Sequence, residues 1–306
     1  MGLLEAIILS VLAASTPLLL AAAGELVTER AGVLNLGLEG MMIMGAACGF
    51  AGAHFTGSVI IGALAGMFAG MFMSALFAGL TIGLAVNQVA AGLALTIFGV
   101  GLSGLIGGGF VGARIETAPH LWLPALTDLP LFGKIVFGQD GFVYASIALV
   151  VGIWWFLYRT RAGLILRAVG DNHLSAHALG YPVLRIRTFA VLFGGACAGL
   201  GGAYLPLAYT PFFIPGMTAG RGWIALALVV FASWRPERIV LGAYLFGAVT
   251  ILQLHAQAMS LPIPSQLMSS LPYLATVVVL IAISRGRGVA GSAAPASLGI
   301  VFVPDR

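Results

Sequence analysis

The chain of 306 residues is 60% hydrophobic and 8% charged, with a formal net charge of +4 and a mean hydropathy of +1.07. Water-soluble domains carry about 25% charged residues, so a soluble enzyme or nucleic-acid binder is excluded and an integral membrane protein is indicated. The basic balance then reads as arginine-rich loops on one side of a membrane, not as a nucleic-acid surface.

Apolar windows of about 20 residues, the length at which an α-helix crosses a hydrocarbon layer, recur along the chain. The alternating pattern of a membrane barrel is absent. The expected fold is an all-α, polytopic transmembrane helix bundle of about 8–10 spans, some discontinuous, over residues 1–284. A short cytoplasmic tail of small residues, 285–306, follows and is expected to lack order. Hydropathy places the spans at 4–24, 34–53, 58–80, 88–110, 142–158, 188–209, 221–234, 238–257 and 267–283. The first lies in MGLLEAIILSVLAAS, which has no basic leader and reads as a span, not a cleaved signal.

The second span follows ERAGVLN and carries Asn35 and Glu39 among Gly32, Gly37 and Gly40. Asn35 is expected to cap a helix over 36–53, with Glu39 one turn in, where the positive helix end favours a carboxylate. A helix begun inside the membrane beside glycines is also what transporters use to wall a solute route. In the third span Gly62, Gly66, Gly70, Ser74 and Ala78 recur every four residues, a device echoed at Gly45/Gly49 and Gly195/Gly199. Such stripes let helix backbones approach closely where lipid supplies no hydrophobic drive.

Further polar candidates are Asn87 and Gln88 at the start of the fourth span, Thr96 two turns later, and Gln253, His255 and Gln257 near the end of the eighth. The candidate substrate pathway is therefore Asn35, Glu39, Asn87, Gln88, Thr96 and Gln253. No ionisable pair stands at mid-membrane in any expected span, which weighs against a proton- or sodium-driven carrier. GLSGLIGGG (101–109) resembles GGACAGLGG (194–202), and the glycine-broken helix start at 32–40 resembles PGMTAGRGW (215–223), a pattern that duplicated transporter halves leave.

Five of the fourteen Lys/Arg residues lie between 159 and 187, so this segment is expected in the cytoplasm. Counting spans puts residues 25–30, SWRPER and SRGRG on the same side, and the 111–141 loop and AMSLPIPSQ opposite. Within 159–187, Asp171 or Asn172 can cap a two-turn helix through Leu174 and Ala178, with Gly180 as its left-handed stop and Pro182 beyond. Cys48 and Cys197 sit among small apolar residues and indicate neither disulfide nor metal. His173 and His177 are i, i+4 neighbours without a third ligand. No cofactor is expected, and with no GxxxxGK[ST] loop any ATP chemistry belongs to another polypeptide.

RAVGDNHLSAHALGYP is similar to the RAxGxNxxAAxxxGI coupling segment of ABC importer permeases of the branched-chain amino acid, ribose and nucleoside group. GELVTERAGVLNLGLEGMMIMGA resembles the signature near the start of the nucleoside and simple-sugar members, and GRGWIALALVVFASWRP their later GxGxxAIA segment. The resemblance implies a permease subunit of an ATP-driven importer of nucleosides or simple sugars, multi-pass in the bacterial inner membrane. Its implied partners are a cytoplasmic ATP-binding subunit, a second homologous permease chain, an extracytoplasmic substrate-binding protein and the surrounding lipid. By the same resemblance Arg167, Ala168, Gly170, Asn172, Ala176, Leu179 and Gly180 form the ATPase-coupling set. The rival reading is an ATP-independent secondary carrier or channel for small polar solutes.

Overall fold

The structure is a computed structural model that describes residues 3–121, 127, 133–258, 266–267, 270–271, 274, 277–278, 281 and 294–304. Among the described residues there are six helices long and apolar enough to cross a membrane: Leu4–Arg30, Val59–Gly83, Gln88–Phe110, Gly141–Arg159, Val183–Tyr209 and Pro236–Ala258. In chain order the elements are α1 (Leu3–Arg30), α2 (Leu38–Thr56), α3 (Val59–Ala78), α4 (Gln88–Gly107), α5 (Gly133–Phe137) and α6 (Gly141–Arg159), then α7 (Arg161–Asp171), α8 (His173–Ala178), α9 (Val183–Tyr204), α10 (Arg221–Phe231) and α11 (Pro236–Ala258). Single π-helical turns, Gly79–Gly83 and Leu205–Tyr209, extend α3 and α9. The all-α polytopic bundle is as expected, and the chain is a multi-pass membrane protein.

Three boundaries differ from the hydropathy reading. First, α1 does not stop at residue 24 but runs to Arg30 and takes buried Glu25, Thr28 and Glu29 into the bundle. A hydropathy window ends at such polar groups, whereas the helix continues because the bundle supplies partners: Thr28 donates to Ala190 O at 3.2 Å and the Glu29 carboxylate accepts from the Trp234 indole N–H. Glu25 and Glu29 thus stand one turn apart at the end of α1, beyond the expected span. Second, the expected span at 221–234 is the 11-residue α10, which rises about 16 Å, half of a hydrocarbon layer. It ends at Ala232 because Ser233 and Trp234 turn left-handed, with φ of 51° and 54°. Third, the tail is not without order: residues 294–304 pack onto the bundle, with Pro295, Ser297 and Phe302 buried. The ninth expected span, 267–283, lies largely outside the described residues.

α9 sits at the centre and packs on α1, α2 and α3; α4 covers α2, and α10 and α11 cover α1. The small-residue stripe does what its spacing indicates, since Gly62, Gly66, Gly70, Ser74 and Ala78 are all buried. A Cβ on Gly66 would sit 2.7 Å from Gly45 O, and one on Gly62 2.7 Å from Gly49 O, so what it meets is backbone that cannot swing aside. Gly66→Leu is therefore expected to cost at least the ~1–3 kcal/mol of overpacking and to lower both thermal midpoint and monodisperse yield on size exclusion. Gly101→Leu, where an added Cβ meets nothing within 4 Å, is the control expected to leave both unchanged.

The helix ends gather by charge. Arg30 donates from Nε and Nη2 to Trp234 O, at 3.0 and 2.7 Å. Residues 294–304 meet the Gly32 turn and Gly170, at the same end as α7 and α8. The arginine-rich segments thus share one face of the bundle.

Candidate solute route and coupling segment

Leaving α1, the chain turns at Gly32, whose φ of +85° only glycine adopts freely. Gly32 N–H donates to Glu29 O and Val33 N–H to Thr28 O, the paired bonds of a Schellman stop. Residues 33–35 are then irregular and buried or half-buried inside the bundle. Irregular backbone at that depth is tolerated only where its polar groups are satisfied, and here side chains satisfy them. Gln88 Oε1 accepts from Leu34 N–H at 2.8 Å, Glu25 Oε1 from Asn35 N–H at 3.3 Å, and Thr96 Oγ1 donates to Leu36 O at 3.0 Å. Asn35 is not the helix cap expected of it. Its Oδ1 accepts from Gly37 N–H at 3.0 Å, an Asx turn that sets up α2 one step earlier, while Gly37 itself occupies the cap position.

Glu39 lies in the first turn of α2, as expected, but its partners come from another helix. Oε1 accepts from Thr218 Oγ1 at 2.6 Å and Gly220 N–H at 2.9 Å; Oε2 accepts from Gly222 N–H at 2.6 Å. The carboxylate thereby caps α10, whose own cap position is Gly220 and has no side chain to offer. Two helix N-termini converge on one acidic group, the arrangement that the positive ends of both helices favour. Gly222 permits the approach, because a Cβ there would lie 2.6 Å from Glu39 N. The two glycine-broken segments that look alike in sequence, 32–40 and 215–223, are thus bonded to one another.

Of the six pathway candidates, the structure brings Asn35, Glu39, Gln88 and Thr96 to this junction. Asn87 is exposed and caps α4 through Ala90 N–H at 3.0 Å. Gln253 stands half-buried in the last turns of α11, away from the arginine-rich end. Its neighbours Leu254 and His255 line a cavity of about 750 Å³ between α1, α9 and α11, with His120, Lys134, Gln139, Asp140 and Tyr209 on the wall. Asp140 caps α6 through Phe142 and Val143 N–H groups, and burial raises its pKa above the ordinary carboxylate value.

The other site is the arginine-rich segment. Thr160 caps α7 and Asn172 caps α8, accepting from Ser175 N–H at 2.9 Å. α8 stops at Gly180, φ +85°, through Gly180 N–H to His177 O (2.8 Å) and Tyr181 N–H to Ala176 O (3.1 Å). Leu174 and Leu179 are 62% and 77% exposed, while Ala176 is buried against Val169, Val183 and Phe302. Arg167 lays its guanidinium over the Tyr158 ring at 5.2 Å. Ala168 O accepts from Asn172 N–H, and Gly170 O accepts from Ser297 N–H at 2.9 Å. Burial and the neighbouring Arg187 guanidinium both hold the His173 imidazole below its ordinary pKa.

Sequence reading passed over Glu25, Thr218, Trp234, Arg187 and Phe302. Thr218 had a signal, lying inside the second glycine-broken segment. By sequence alone Arg187 reads only as a charge that orients the chain, and Phe302 sits in a tail with no periodicity to mark it.

A multi-pass bundle with a half-length helix, a break satisfied inside it and a capped stub on its arginine-rich face has the build of a membrane permease. The chain belongs to the family described as branched-chain amino acid transport system / permease component, which it matches over residues 7–283. It is 42% identical over 289 residues to the putative glucose ABC transporter permease protein TsgC13 of Haloferax volcanii, covering 87% of this chain and 88% of that one. It is 32% identical to the nucleoside ABC transporter permease protein NupC of Lactococcus lactis, over 99% of this chain and 98% of the relative. The guanosine ABC transporter permease protein NupQ of Bacillus subtilis is 31% identical, with the same two coverages.

Proposed function

We propose that this chain is the permease subunit of an ATP-driven importer for nucleosides or simple sugars, working by alternating access in the bacterial inner membrane. The relatives named for glucose, nucleoside and guanosine transport support that solute class. The observation that carries the mechanism is α8, a stub capped at both ends that presents Leu174 and Leu179 outward from the arginine-rich face. Apolar side chains on a rigid knob at the end of the bundle fit a groove on a soluble partner, here a cytoplasmic ATP-binding subunit. In this reading Asn172 and Gly180 define the ends of the lever, and Arg167, Ala168, Gly170, Ala176 and Leu179 seat it. Asn35, Glu39, Gln88 and Thr96 hold the helix break that changes when the lever moves, and Asn87 and Gln253 lie along the route. A second homologous permease chain completes the pore, and an extracytoplasmic binding protein delivers the solute.

The test is reconstitution in vesicles with a cytoplasmic ATP-binding subunit, a second permease chain and a substrate-binding receptor. Uptake of labelled guanosine or glucose is expected to require ATP and all four components. Uptake by this chain alone would instead indicate an ATP-independent carrier or channel.

A further inference from the structure

Arg187 joins three segments that are distant in sequence. Its side chain is 2% exposed; Nε donates to Ala31 O at 3.2 Å, Nη1 to Ile300 O at 2.9 Å, and Nη2 lies 3.3 Å from His173 Nδ1. A guanidinium offers several donors in a fixed planar fork, whereas a lysine ammonium on a flexible stem cannot hold three acceptors spread this way. The contacts around it follow the same plan. Ser297 N–H donates to Gly170 O and Gly299 N–H to Gly32 O, at 2.9 and 3.3 Å. His173 N–H donates to Ser297 Oγ at 3.4 Å. Phe302 lays its ring against His173 and His177, with centroids 5.1 and 5.3 Å away, and is buried with Val169, Ala176 and Val183. His177 is therefore a packing partner of the chain's own tail.

We propose that Arg187 and residues 295–302 form a clasp that ties α8 to the Gly32 turn, so that movement of α8 is passed to the Ala31–Asn35 connection and on to the Glu39 bridge. The proposal rests on the reading of this chain as an ATP-driven permease and deepens it by naming Arg187 a positioning residue of the cycle. α8 has only six residues, and a helix that short has little stiffness of its own. Pinned by Phe302 on its inner face and by Arg187 through His173, it moves as one body with the turn between α1 and α2. From that turn the path is continuous: the 33–36 backbone is held by Gln88, Glu25 and Thr96, and the first turn of α2 carries Glu39 to α10. Contiguous bonds are a route only when coupling is measured along them.

The experiment uses the assembled complex in vesicles and reads ATP hydrolysis and solute uptake together. Phe302→Ala removes the tail's anchor and leaves Arg187 in place; Arg187→Gln and Arg187→Lys remove the three-way joint. Solute imported per ATP hydrolysed is expected to fall about fivefold in each, the size found for substitutions along coupled networks. Phe302→Trp, which keeps a ring on the two histidines, is expected to restore the ratio. A merely structural clasp would lower uptake and membrane abundance together at constant ratio, and that result overturns the proposal. So does a Phe302→Ala complex that couples like the wild type, which decides the matter even where the Arg187 variants do not assemble. Failure of the underlying reading looks different: the wild-type chain would move solute without ATP, and both ideas would fall.

Discussion

Glu39→Gln is expected to cut solute uptake about tenfold while the protein remains in the membrane at close to wild-type abundance, a loss equivalent to about 1.4 kcal/mol. The carboxylate is acceptor-only and receives three donors, the Thr218 hydroxyl and the Gly220 and Gly222 amides. Glutamine keeps one acceptor oxygen but turns an NH₂ group toward one set of donors. If the oxygen stays with Thr218 and Gly220, the Gly222 N–H faces another donor, and a buried unsatisfied amide costs about 1–3 kcal/mol. That penalty falls on the start of α10, loosening the half-helix against α2 without touching the glycine-packed centre of the bundle. Glu39→Leu leaves all three donors without an acceptor and is expected to lose both uptake and abundance. Measuring vesicle uptake against immunoblot abundance separates the two effects. Equal losses in Glu39→Gln would leave the residue only a structural role.

Gly180→Val is expected to uncouple ATP hydrolysis from transport in the assembled complex. At a φ of +85° a β-branched residue is strained, by at least the roughly 1–2 kcal/mol of a left-handed L-residue. Space is not the difficulty, because a Cβ there meets nothing within 4 Å. The substitution therefore acts on backbone conformation alone. Valine has to leave the left-handed region, which breaks the bonds from Gly180 to His177 and from Tyr181 to Ala176 and frays the end of α8. Asparagine, which tolerates that region, is expected to retain most coupling, and alanine to fall between. The readout is stimulation of ATP hydrolysis by solute-loaded receptor; a valine variant stimulated as strongly as the wild type would remove α8 as the lever.

Much of the architecture was legible in linear pattern. The four-residue spacing from Gly62 to Ala78 identified a packing face before any neighbour was known, because helical period alone puts those residues on one side. The α8 stub was equally legible, since Asn172, Gly180 and Pro182 act through local backbone chemistry that needs no partner. The end of α1 was not. Glu25, Thr28 and Glu29 look like a loop to any scale that counts polarity, and only their partners Asn35, Ala190 and Trp234, from other parts of the chain, make them helical.

Composition, helical spacing and cap residues by themselves determined that this chain is a membrane-embedded helical bundle with a capped stub on an arginine-rich face, because each of those signals depends on lipid or on neighbours a few residues away, whereas its likeness to permeases rests on motif resemblance. Only the tertiary structure decided that Glu39 caps α10 rather than serving its own helix alone, that α10 is a half-helix, and that Arg187 and Phe302 bind the tail to α8. The physical reason is the same in each case: a buried polar group must find a partner, and the sequence separation of Glu39 from Gly222, or Arg187 from Ile300, carries no trace of which partner it finds.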